Sequence, residues 1–128
     1  MKASDLANLW ASPDNSRLTS KQSSFRLPVH VAAKLAALSE IYPQKTKTQM
    51  VADLLSAALA DLEQGLPSFP GKFFVEDEEG QPLFEATGPA ERFRTLTNKH
   101  YIELEKELGN ESPTPFYTCA LLVGKEEK

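Results

Sequence analysis

Gln22, Ser24 and Arg26 occupy every second position of a short segment in which Phe25 and Leu27 fall in between and after. A strand sends alternate side chains to opposite faces. On a strand over 21–27 the three polar groups therefore share one face, and Phe25 and Leu27 share the other with Ser23. The polar face carries a guanidinium with its fork of N–H donors, an amide that both donates and accepts, and a hydroxyl that does either. That is the chemistry of recognition by hydrogen bonding. A strand of this length is not stable alone. Paired with the same strand of a second chain, it would set two polar faces side by side on the outside, where they can enter a DNA groove.

Two helical segments after the strand supply the support for such a pair. A helical pattern over 29–42 carries Val31, Leu35, Leu38 and Tyr42 at spacings of 4, 3 and 4. Pro28 suits the start of a helix, and Pro43 ends it because the residue before a proline avoids the helical region. A polar turn leads to a second helix over 47–64. Thr46 with Gln49 three residues on is a capping-box pattern. Val51, Leu54, Leu55, Ala58, Leu59 and Leu62 form its apolar stripe, and Gly65 and Pro67 stop it. A strand and two helices in so few residues cannot bury their own apolar surface, so a dimer core of Phe25, Leu27, Leu35, Leu38, Val51, Leu54, Leu55 and Leu59 is expected.

The rest of the chain frames this region. Before it, residues 1–20 hold a short helical candidate with Ser4 as cap and Leu6, Leu9 and Trp10 on one face, broken by Pro13. After it, strands over 72–76 and 82–86 flank the acidic stretch 77–81, which reads as a β-hairpin. Gly88 and Pro89 open a third helix with Phe93, Leu96, His100, Leu104 and Leu108 on one side, and Gly109 and Asn110 close it. The apolar run 116–123 reads as a final strand, and the charged tail 125–128 as disordered. Three regions are expected: 1–20, 21–65, and an acidic hairpin-helix extension over 66–128. The fold class expected is α+β, an intersubunit strand pair with two helices followed by a hairpin and a helix.

Charge divides the chain unevenly. Residues 17–64 hold six basic and four acidic side chains, a balance of +2, whereas 65–128 hold seven basic and twelve acidic, a balance of −5. The net charge of −4 is therefore concentrated in the second half. No apolar run approaches the length of a membrane helix. The N-terminus lacks an apolar core followed by a small-residue cleavage site, so a cytoplasmic protein with no membrane partner is expected.

Nothing here reads as an enzyme. There is no glycine-rich phosphate loop and no nucleophile elbow. His30 and His100 lie far apart without spaced carboxylates, and His100 reads as a core histidine on the apolar side of its helix. The cluster 76–79 lacks the alternating spacing of a calcium loop. Cys119 is the only cysteine and reads as a small buried hydrophobe. No metal and no cofactor are expected.

The residues Phe25-Arg26-Leu27-Pro28, the helix over 29–42, the capped turn Thr46-Lys47-Thr48-Gln49 and the stripe over 51–62 resemble the ribbon-helix-helix family of bacterial and phage DNA-binding proteins. The resemblance covers about a third of the chain. It implies that Gln22, Ser24 and Arg26 contact bases in the major groove of double-stranded DNA, where Arg pairs with guanine, Gln with adenine, and Ser with either. It implies that Thr46, Lys47 and Thr48, at the N-terminus of the second helix, contact a DNA phosphate. The acidic overall charge and Pro43 in the inter-helix turn depart from the family's pattern.

The function expected from these features is a homodimeric transcriptional regulator, a repressor that reads operator DNA. Two other roles fit the same residues. One is an antitoxin whose 66–128 half occupies a toxin. The other is a dimeric adaptor that keeps the fold without binding DNA. The extension could equally meet an effector, a second dimer or a protein partner.

Overall fold

Two prolines bracket the first helix. Pro28 (φ −54°, ψ 148°) sits just outside it, and its carbonyl accepts from the Val31 and Ala32 N–H groups at 3.1 and 3.0 Å. Pro43 lies just beyond the other end. The computed structural model describes residues 17–124, so the expected helix around Leu6, Leu9 and Trp10 and the tail 125–128 lie outside the described residues. In chain order come α1 (Val29–Ile41), α2 (Lys47–Gln64), β1 (Phe69–Glu76), β2 (Pro82–Thr87), α3 (Pro89–Glu107) and β3 (Leu122–Gly124). The class is α+β, with three helices and one antiparallel sheet in the order β1-β2-β3 among the described residues. The chain divides into two compact units, one ending at Leu62 and the other beginning at Glu63.

In the first unit the start of α2 is capped as its sequence pattern implies. The Thr46 N–H donates to Gln49 Oε1 and the Gln49 N–H donates to Thr46 Oγ1, both at 3.1 Å. The unit's core is small. Met50 is fully buried and Ala57 nearly so, with Leu35, Leu38, Tyr42 and Leu54 packed partly against them. No residue of α1 is fully buried. Residues 21–27 form no strand within a single chain, because the segment has no neighbouring strand here to pair with. The first ladder begins only at Phe69.

In the second unit the hairpin forms around the expected acidic turn, with β1 beginning three residues earlier than the sequence pattern suggests. Asp77 organises the turn. Its carboxylate accepts from the Glu79 and Gln81 N–H groups at 2.9 and 2.8 Å, and Gly80 takes the positive φ of 81° that the turn requires. Phe73 and Phe84, opposite in register, meet edge to face at 6.1 Å. Helix α3 packs on β2, where Ala86 and Ala90 are buried. The Ala90 N–H donates to the Pro67 carbonyl at 3.0 Å.

The last strand is shorter than the apolar run 116–123 suggests. Side chains of α3 occupy backbone groups that a longer ladder would need. Asn98 accepts from the Tyr117 N–H at 2.8 Å and donates to the Tyr117 carbonyl at 3.1 Å. Arg94 Nη2 donates to the Cys119 carbonyl at 3.0 Å. That detour leaves Cys119 exposed, which corrects the expectation of a buried thiol. His100 is likewise exposed rather than in the core, with Nδ1 3.7 Å from Glu103 Oε2 one turn on. Along the same stripe of α3, Leu96 and Leu104 are exposed too, whereas Phe93 and Leu108 are half-buried.

Candidate nucleic-acid interface

Gln22, Ser24 and Arg26, in a segment that forms no strand here, are all exposed, and so are Thr46, Lys47 and Thr48 at the start of α2. Both groups belong to the first compact unit. A helix leaves its first four N–H groups without helical acceptors. Here the Gln49 amide is taken by Thr46 Oγ1, and the Thr46 amide by Gln49 Oε1. The amides of Lys47 and Thr48 are the two that remain. They point along the positive end of the helix dipole, beside the Lys47 ammonium and the Thr48 hydroxyl.

The apolar residues between these polar groups complement them. Of the eight expected to form a dimer core, Leu35, Leu38, Val51 and Leu54 are half-buried within the single chain. Phe25 is 80% exposed, Leu55 52% and Leu59 49%, and Leu27 is exposed as well. Val29, Ile41 and Leu62 add to the same unburied surface. Seven large apolar side chains are thus exposed in this small unit.

The second unit offers a different surface. Strand β1 is the edge of the sheet, and all eight of its residues are exposed, including Phe69, Phe73, Phe74 and Val75. Pro70 and two irregularities in the β1–β2 register blunt this edge as a template for further strand pairing. Sequence reasoning did not find the cluster of Glu63, Arg94 and Tyr117. Arg94 lies over the Tyr117 ring, 4.4 Å from its centre. Burial pushes the Tyr117 hydroxyl up to about 12, and the adjacent Glu63 carboxylate pushes the same way while Arg94 opposes. The three residues are distant in sequence and no motif links them.

Among the described residues no three His, Cys, Asp or Glu side chains converge as a metal site, and no helix is long and apolar enough to cross a membrane. No protein-family model matches the chain, and neither the curated proteins nor the solved structures compared with it give a match.

Proposed function

We propose that the chain is a homodimeric, sequence-specific DNA-binding regulator, a repressor of ribbon-helix-helix type. Two copies pair their 21–27 segments antiparallel, and the ribbon offers Gln22, Ser24 and Arg26 of each copy to the major groove. The observation that carries this reading is the exposed apolar set Phe25, Leu27, Leu55 and Leu59 beside an alternating polar row. A second copy would cover the apolar set and give the unpaired segment its strand partner, satisfying both with one contact. The N-termini of the two α2 helices would then each present the Lys47 and Thr48 amides to a phosphate, setting register on the duplex.

The balance of +2 over residues 17–64 is small for a phosphate binder, but dimerisation doubles it around one ribbon. Titrating the full chain into a fluorescent mixed-sequence duplex at low and at higher salt tests the reading. Binding that weakens steeply with salt supports it. No binding at low salt overturns it and favours the adaptor that keeps the fold alone.

A protein partner for residues 66–128 is the second reading, favoured by the exposed aromatic residues of β1. In its sharpest form the chain is an antitoxin and that half covers a toxin. A toxin gene beside this one, whose product co-purifies with the full chain, would select it.

A further inference from the structure

Helix α3 carries a partly apolar face that the rest of its unit leaves open. Phe93, Leu96, Thr97, His100, Tyr101 and Leu104 line a shallow groove of about 500 Å³, and no other described element contributes to it. Their spacings of three and four residues put them on one face of the helix. Leu96, His100 and Leu104 are exposed. Phe116, exposed too, extends the face beside Tyr101, with the two ring centres 5.5 Å apart. Arg94 and Asn98, on an adjoining side, bond the backbone at Tyr117 and Cys119 and so fix the rotation of α3 about its axis.

This face is its own complement. A two-fold contact sets residue i of one copy against j of the other, and j against i. With two copies of α3 antiparallel about a point between Asn98 and Lys99, Phe93 comes opposite Leu104, Leu96 opposite Tyr101, and Thr97 opposite His100. The charges obey the same symmetry. Arg92 and Glu103 are both exposed and lie on one flank of the face, near its opposite ends. The antiparallel pairing brings each Arg92 within side-chain reach of Glu103 of the other copy, whereas a parallel pairing would set like charges together. We propose that α3 pairs antiparallel with α3 of a second copy of this chain. The face is small beside the roughly 20–30 residues a side of a stable interface, so the contact is weak, with a Kd on the order of 100 µM. It lies in a different unit from the ribbon contact and does not rest on it.

Sedimentation equilibrium of the full chain carrying Leu55→Glu is the experiment, because that change disrupts the apolar contact proposed for the first unit and leaves α3 unaltered. A reversible dimer is expected as the concentration rises to about 500 µM, several times that Kd. Adding Leu104→Glu should weaken it at least about tenfold, by placing a charge in the apolar contact. Adding Arg92→Glu instead should weaken it about threefold at low salt, the value of one exposed ion pair, and Glu103→Arg on top should recover the loss. A Leu55→Glu chain that stays monomeric overturns the proposal, and so does a dimer that Leu104→Glu leaves unchanged. Further weakening by Glu103→Arg, in place of recovery, overturns the antiparallel register. The charge reversals fall on exposed positions, so they decide the matter even if the Leu104 variant fails to fold.

Discussion

Thr46 and Gln49 hold each other's backbone amides, each side chain accepting from the other residue's N–H at 3.1 Å. The pairing fixes the entry to α2 and selects which donors stay available. The Thr46 oxygen is engaged by Gln49, so its hydroxyl proton and the Lys47 and Thr48 amides are what this helix end can offer an anion.

Removing the cap should register as stability. Thr46→Ala is expected to lose about 1 kcal/mol in denaturant unfolding, whereas Thr46→Ser should stay close to the unaltered protein. Equal stability of the two variants would show that the reciprocal bonds contribute nothing in solution.

Leu55 discriminates between a monomer and a dimer. It is about half exposed in a single chain, where Leu55→Glu would change stability by only about 0.5 kcal/mol. If a second copy covers it, the same change should shift sedimentation equilibrium toward monomer. It should also lower the unfolding midpoint, which for the unaltered dimer rises with protein concentration. A monomeric unaltered chain at micromolar concentration would remove the basis for the ribbon.

Gly88 joins β2 to α3 with φ at +100°, and a Cβ there would stand 2.9 Å from Phe69 Cδ2. Both the backbone conformation and the close ring oppose a side chain. Gly88→Ala should destabilise by more than about 1 kcal/mol. A neutral effect in thermal unfolding would mean that this joint relaxes freely.

Tyr117 gives the second unit an alkaline signature. Its hydroxyl stays protonated in the folded protein to about 12, above the ordinary 10 of an unfolded tyrosine. The group therefore contributes stability that is fully present below pH 10 and is lost as pH rises toward 12. Tyr117→Phe should flatten that part of the stability curve, and the phenolate absorbance of the unaltered protein should show one tyrosine titrating late. An absorbance that loses no late phase in Tyr117→Phe would contradict it.

How far the sequence reaches differs between the two units. Helix α2 is legible to its ends because its signals are local: a capping pair at one end and Gly65 and Pro67 past the other. The hairpin is legible for the same reason, through Asp77 and Gly80. His100 and Cys119 mislead because periodicity reports which side of an element is apolar, not whether anything covers it. The shortening of β3 depends on Asn98 and Arg94 reaching residues 19 and 25 positions away, which no local pattern encodes. The cluster of Glu63, Arg94 and Tyr117 is of the same kind: Arg94 and Glu63 each reach Tyr117 only through tertiary packing. The polar row Gln22, Ser24 and Arg26 is legible as a pattern, but its proposed partner strand belongs to another molecule.

The ribbon is tested most directly by retaining fragmented host DNA on the purified full chain, sequencing what is held, and repeating this with Arg26→Ala. Enrichment of a palindromic site, lost in the variant while its folding is unchanged, is the expected result, since two-fold symmetry in the protein is mirrored in its site. No enriched site at low salt, or the same enrichment by Arg26→Ala, would contradict base reading through residues 22, 24 and 26.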